Sequence, residues 1–433
     1  MADEEVPAEV SQIKRCIQDH EKTKSLKKSE RKITMVYITY QSPERYRQLS
    51  FEEMMSGKDF PVESLRMGGK GATHTVIVNK VPQRIMRITN VPQMVSQLAA
   101  WVGTYGYLYD QPRNELYNHF QIPKKTGGLR PIDAPLPELK KALNQLKDIL
   151  SGWMFADHHA CAYAYVNERS VVEVAKKHQR FNGWWFAHFD FHGFFPSTTA
   201  DFILSQMKLI YPFNLVLEDP RGKQLLPKAL DLCMLNGGLP QGTPISPFLT
   251  NIMMIPFDHA VAKMLNKFDS GKRNADGTII TDRCCYTRYA DDIDISCKVM
   301  FNYKKVERDI VALLQTIGAP FTINETKTQF NSRAGRNWIL GVMLNKDNEI
   351  TIGYRKNKII KATIFTYLTD RAAGRKWSLS DLQHFRGNIS WFHSVEPEVM
   401  DRIILKYNHK FGVDLQECIR QDMHPGNHAP ESV

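Results

Sequence analysis

Two short stretches of strand character, Cys285–Tyr289 and Ile293–Cys297, are separated by only Ala290, Asp291 and Asp292. That spacing predicts a β-hairpin with two carboxylates at its tip. Adjacent aspartates at one turn repel each other unless a cation neutralises them. A third carboxylate lies upstream. Trp185, Ala187, Phe189 and Phe191 alternate with Trp184, Phe186, His188 and Asp190, which is strand period, and Asp190 falls near the strand's end ahead of the breakers Gly193 and Pro196. Three carboxylates gathered from these strands would form a hard, oxygen-only site suited to magnesium. Two such ions about 4 Å apart can activate a 3′-hydroxyl and stabilise a leaving pyrophosphate. The alternative for a bare Asp-Asp pair is a turn cap, where aspartate is common, and taken alone the pair favours that alternative.

Composition narrows the partners more than the chemistry. At 433 residues the chain can hold two or three packed subdomains. Its 42% apolar and 24% charged residues are those of an ordinary soluble protein. No window approaches the roughly 18 uninterrupted apolar residues of a membrane span. The acidic start MADEEVPAEV has no apolar run behind it and does not read as a secretory signal. Seven cysteines, without a CxxC pair and with Cys284 adjacent to Cys285, offer neither a disulfide framework nor a thiolate metal site. A cytoplasmic protein without a membrane partner is expected. The formal net charge of +11 favours a polyanionic partner, because basic groups that neutralise phosphates release condensed counterions.

Along the chain, residues 1–30 read as a polar arm ending in Lys22, Lys24, Lys27 and Lys28. Pro135 to Leu150 has helical spacing at Leu136, Leu139, Leu143, Leu146 and Ile149–Leu150. Phe248 to Met264 predicts one long buried helix, and Lys267 to Asp282, rich in turn formers, a surface hairpin. From about Tyr354 the pattern is basic and helical, punctuated by Gly353, Gly374 and Gly387, as in a small helical unit.

The surroundings of the aspartates decide between the alternatives. FDFHGFFPS (Phe189 to Ser197), LPQGTPISP (Leu239 to Pro247) and RYADDIDIS (Arg288 to Ser296) occur in that order. GGLRPIDAP (Gly127 to Pro135), AYAYVNERSVVEVAKKH (Ala162 to His178), INETKTQF (Ile323 to Phe330) and ILGVMLN (Ile339 to Asn345) flank or follow them. With these motifs the chain resembles the reverse transcriptase family, specifically its bacterial branch near retron and group II intron enzymes. The resemblance implies an α+β right hand. Fingers would span 31–180, the palm 181–200 and 237–348 with 201–236 connecting, and a helical thumb and tail 349–433.

The resemblance also implies residue roles. Asp190, Asp291 and Asp292 match the metal-binding triad for two Mg2+ ions, with the Phe191 carbonyl as a further ligand. Gln241 and Gly242 match the pocket beside the incoming dNTP. Arg130, with Lys124 or Lys125, matches the grip on its triphosphate, where cations meet the charge that builds on the leaving phosphates. Lys327 matches the lysine that protonates pyrophosphate. Ile339, Leu340 and Gly341 resemble the primer grip. Phe195 stands where the family places an aromatic gate against the ribose 2′-hydroxyl; its alternative, shared with Phe194, is an ordinary core aromatic.

Other residues are assigned simpler roles. Asp294, two residues past Asp292, either shares its face or, as the favoured reading, is a solvated strand carboxylate. His178, beside Lys176 and Lys177, is expected to face the template backbone, and Trp184–Trp185 to sit in a core strand. His384, His393 and His409 lack metal-ligand spacing. Arg355, Lys356, Lys358 and Lys361 would either contact the template–primer backbone or form a solvated face. The retron strings NAxxH and VTG are missing, the second place reading ITIGYRKNK (Ile350 to Lys358), and nothing after Gly412 resembles the intron enzymes' endonuclease module. What remains resembles compact defence-associated reverse transcriptases that copy a structured noncoding RNA into cDNA. An RNA template is expected, gripped by shape and backbone, with residues 1–120 as the expected docking region; the sequence carries no signal for oligomeric state. Two rivals are a catalytically silent RNA-binding protein of the same fold and a protein-primed, template-independent DNA polymerase.

Overall fold

The computed structural model describes residues 36–41, 73–78, 91–124, 127–151, 158–273, 279–335 and 337–424. The arm over 1–30, the possible RNA-docking role of much of 1–120, and Lys125 therefore lie outside the described residues. The chain is α+β, with helices set among short, mostly antiparallel sheets. It forms two compact units. The first takes the described residues up to Asn167, His188–Ile295 and Asn302–Thr328; the second takes Glu168–Ala187, Ser296–Phe301 and those from Gln329 onward.

In the first unit, strands are ordered Thr322–Ile323, Trp185–His192, Asp292–Cys297, Cys284–Tyr289, two of them ending in residues that belong to the second unit. Ile323 pairs with Phe191 and Thr322 with His192. The rings of Phe191, Phe194, Phe257 and Phe321 close around one another at centroid distances of 4.9 to 5.8 Å, giving the Asp190 strand an aromatic floor. The helix expected over 135–150 forms as Pro137–Ser151 and buries Leu139, Leu143, Leu146 and Leu150. Trp101 Nε1 donates to the Ala142 carbonyl at 2.9 Å and fastens the helix Val91–Tyr105 to it. Ahead of Pro137 stands a long hairpin, Tyr117–Pro123 paired with Leu129–Pro135.

The single helix expected over 248–264 is instead two, Ser246–Met253 and Ile255–Asn266. Pro256 lacks the N–H that a continuous helix needs there, and it opens the second helix instead. The hairpin expected over 267–282 forms from Phe268–Arg273 and Ile279–Asp282.

The second unit packs the helix Val171–Phe181 and a three-stranded sheet, Asn337–Ile339, Val342–Leu344 and Ile350–Thr351, with four helices. These are Tyr354–Ala372, Leu379–Val395, Pro397–Phe411 and Leu415–Met423. Val172, Val342, Ile364, Phe385 and Leu415 share one core. Ser378 and Asp414 cap two of the helices by accepting from the N–H groups of Asp381 and Glu417. Gly387 is not a break: it lies inside Leu379–Val395. His178 does not face solvent. It falls on the buried face with Val174 and Ala175, its Nδ1 2.6 Å from Ser296 Oγ. Phe186 is core, but Trp184 and Trp185 are half-buried, one beneath the Arg333 guanidinium and the other stacked on Phe330. Among the described residues, no helix is long and apolar enough to cross a membrane.

Candidate active site

Strand pairing brings Asp190 beside the aspartate hairpin. The Phe191 N–H donates to the Asp291 carbonyl at 3.1 Å, and Asp190 is 8% exposed. Ala290 and Asp291 make the two-residue turn, with Ala290 in the left-handed region at φ 57°, a conformation that costs a non-glycine residue energy. Asp292 opens the next strand. Burial pushes the Asp291 carboxyl up, with Asp190 adding to it and Lys327 and Arg130 opposing. Asp292 is raised to about 7, by burial first and then by Asp291, Asp294 and Asp190. The three carboxylates thus share one field.

A cation already answers part of that charge. Lys327 ends the short turn Glu325–Lys327, and its Nζ lies 2.9 and 3.0 Å from the two Asp190 oxygens. The Asn324 N–H donates to the Asp190 carbonyl at 2.7 Å, fixing the turn to the strand. Among the described residues, no group of three or more His, Cys, Asp or Glu side chains is gathered to hold a metal; here Asp190 spends both oxygens on Lys327. The donor chemistry nevertheless fits a hard divalent cation: oxygen-only, anionic, partly buried and mutually repelling.

Two layers behind the carboxylates were missed in sequence. His188 and Asp294 lie two residues from Asp190 and Asp292, on the same strand faces, and His188 Nδ1 bonds to Asp294 Oδ1. Asp294 is 3% exposed, so it is not the solvated carboxylate expected; its strand is covered on both faces. The second layer centres on Arg288, which has no exposed surface. Its Nε and Nη2 each lie 2.8 Å from an oxygen of Asp258, Nη2 also reaches Asn251 Oδ1 at 3.3 Å, and Nη1 donates to the Ala290 carbonyl at 3.1 Å. Tyr286 Oη donates to Asp258 at 2.6 Å. A planar fork suits this multidentate task. The only advance signal was an arginine next to the turn and an aspartate inside an apolar helix.

The family model for reverse transcriptase (RNA-dependent DNA polymerase) matches residues 122–368, more than half the chain. The chain belongs to the reverse transcriptase family. Retron Ec83 reverse transcriptase of Escherichia coli is 26% identical over 308 residues, covering 67% of this chain and 86% of that one. Retron Ec73 reverse transcriptase of the same organism is 26% identical over 299 residues, covering 66% and 86%. These retron relatives match despite the missing NAxxH and VTG strings. A telomerase structure from Candida tropicalis aligns at 12% identity over 71% of this chain and 62% of that one, but its TM-score of 0.39 carries no argument.

This reverse transcriptase, an RNA-directed DNA polymerase with the right-hand fold of its family, places Arg130 within the field of the aspartates. Arg130 and Lys124 are exposed on the long hairpin, and Arg130 acts electrostatically on Asp291. Tyr165, missed in sequence, also lies in this field: its phenol is raised by burial and then by Asp291 and Tyr289, against Arg130. Gln241 accepts from the Asp133 N–H at 2.7 Å through its carbonyl. Gly242 has φ 120°, and a Cβ there would come within 2.9 Å of Ile132 Cγ2 and 3.0 Å of the Asp133 carbonyl. Glycine is thus required for this turn to lie against the hairpin strand. Phe194 is buried in the aromatic floor, whereas Phe195 is half-buried and its carbonyl accepts from the Leu239 N–H at 3.1 Å. The two phenylalanines have separate environments.

Ile339, Leu340 and Gly341 belong to the second unit. They form the tight turn between Asn337–Ile339 and Val342–Leu344, with φ 51° at Leu340 and 86° at Gly341. The Gly341 carbonyl accepts from Lys356 Nζ at 3.0 Å. Lys356 is therefore not part of a uniformly outward basic run, although Arg355, Lys358 and Lys361 are exposed.

Proposed function

We propose that this reverse transcriptase uses Asp190, Asp291 and Asp292 to hold two Mg2+ ions and copies a structured noncoding RNA into cDNA for bacterial antiphage defence. The observation that carries the chemical part is the convergence of three carboxylates, Asp291 and Asp292 raised by burial and then by their neighbours, with Lys327 already paired to Asp190. Bound there, the ions would supply Lewis-acid activation of the primer 3′-hydroxyl and neutralise the leaving pyrophosphate. The Phe191 carbonyl is a candidate further ligand. With metal held there, Lys327 would leave Asp190 and serve the pyrophosphate. Arg130 and Lys124, with Lys125, hold the dNTP triphosphate, while Gln241 and Gly242 line its other side. Phe195 gates the sugar, and the turn Ile339–Gly341 supports the primer strand. In this assignment the long hairpin belongs to the fingers, the aspartate sheet to the palm and the four C-terminal helices to the thumb.

The RNA and defence parts rest on the net charge of +11, the match to retron reverse transcriptases and the resemblance to compact defence enzymes. The test is primer extension on an RNA template with Mg2+ and dNTPs, beside the Asp291→Ala/Asp292→Ala variant. The variant should bind RNA and extend nothing; extension by it would remove the triad. Sequencing nucleic acid that co-purifies with the chain should return one structured transcript, and a random RNA pool would count against a dedicated template. Phe195→Ala should admit ribonucleotides, and unchanged sugar discrimination would remove the gate.

A further inference from the structure

We propose that Lys356 is a positioning residue that locks the turn Ile339–Gly341 to the first turn of the helix Tyr354–Ala372, so that both move as one body on the primer strand. The inference rests on the primer-support role assigned above, but the lock itself is a matter of geometry. The Lys356 ammonium lies 4.7 Å from the centroid of Trp338 and 5.1 Å from that of Trp391, and donates to the Gly341 carbonyl at 3.0 Å. Trp338 comes from the strand that enters the turn, and Trp391 from the helix Leu379–Val395. One cation therefore joins the turn, the entering helix and a second helix of the bundle.

Two further features hold the linker that leads into the Lys356 helix. The Ile352 N–H donates to Glu396 Oε2 at 2.7 Å, and Gly353, at φ 79°, lies so close to Trp338 that an added Cβ would meet its ring at 3.1 Å. An ammonium between two indole faces is attracted by both ring quadrupoles, and it also donates to the Gly341 carbonyl. The flanking Arg355 and Lys358 are exposed and have no such cage. The basic run thus divides its labour: Lys356 faces inward to hold the turn, and its neighbours face outward.

The test uses the full chain as wild type, Lys356→Met and Lys356→Arg. Amide exchange at Leu340 and Val342 should rise about tenfold in Lys356→Met, with the core of the four helices unchanged. In single-binding-event extension, termination per step should rise by a similar factor, well beyond any fall in single-nucleotide turnover. Lys356→Arg should restore both, since a guanidinium also stacks on indole and donates. Unchanged turn exchange in Lys356→Met overturns the lock. A parallel loss of processivity and turnover, or faster exchange without loss of processivity, overturns the positioning role. A wild-type chain that extends no primer would sink the polymerase reading, and the lock then stands or falls on exchange alone.

Discussion

Two tight turns in this molecule solve the same local problem with opposite materials. The turn at Ala290 and the turn at Leu340–Gly341 each hold a non-glycine residue in the left-handed region, and each has a carbonyl fixed by a cation. At Ala290 the cation is a guanidinium without exposed surface, forked onto Asp258. At Gly341 it is a single ammonium caged by Trp338 and Trp391 and still partly open to solvent. A buried fork with its own counter-ion permits almost no movement, because any displacement leaves a desolvated charge unpaired. A caged ammonium that is still partly open to solvent holds its turn to the helix at a lower cost of disruption. The contrast matches the tasks assigned to them: carboxylates that must keep their mutual geometry, and a grip that must follow a strand as it advances.

The comparison breaks most easily at Arg288. Arg288→Met leaves Asp258 buried without its cation, and should cost ~3–5 kcal/mol in urea unfolding and abolish extension. A loss below about 1 kcal/mol would mean that the fork carries little of the turn's rigidity. Next in size is the charge at the aspartate turn itself. Asp292 is held at about 7 in the folded chain, against an ordinary carboxylate value near 4 in the unfolded one, so between these values the folded chain keeps its proton more tightly. The stability tied to Asp292 is full below about pH 4 and is lost as pH rises through about 7. Asp292→Asn should therefore gain in melting temperature over wild type as pH climbs from 5 to 8 without divalent ions. Millimolar Mg2+ should narrow that gap, and a gap independent of pH would contradict the shared field.

Lys356→Met should cost only about 1 kcal/mol of global stability by the same unfolding assay, far below Arg288→Met. Equal losses would erase the distinction between the two turns. The smallest effect tests the backbone: Ala290→Gly and Leu340→Gly each relieve a left-handed residue worth about 1 kcal/mol, partly offset by the entropy of glycine in the unfolded chain. Net changes within about 0.5 kcal/mol are expected at both turns by thermal melting, with Leu340→Gly also losing a side chain from the grip.

Much of this was legible in advance where the signal was local. Strand alternation placed Asp190, the turn spacing placed Asp291 and Asp292, and leucine spacing placed the helix Pro137–Ser151. What escaped depends on partners distant in the chain. Arg288 and Asp258 are 30 residues apart, and nothing in the apolar run around Asp258 says which cation it meets. His188 and Asp294 are 106 apart, and an alternating pattern cannot show that both faces of a strand are covered. His178 and Lys356 were misread for a related reason: each sits among basic neighbours, and composition assigns a run one direction where the helix gives its members several. The divided helix at Met254 was legible, since Pro256 stood in the run.

The close approach at Gly242 has a consequence for how such an enzyme can change. The turn proposed to face the incoming nucleotide meets the strand Leu129–Pro135 backbone to backbone, with no room for one added carbon. On the proposed assignment, the room for a nucleotide on that side is thus set by main chain, which mutation cannot trim. Selection for altered or bulkier nucleotides, on that assignment, has to act through side chains such as Phe195, or else shift a whole hairpin at once. A library at Gly242 should mostly return misfolded chains.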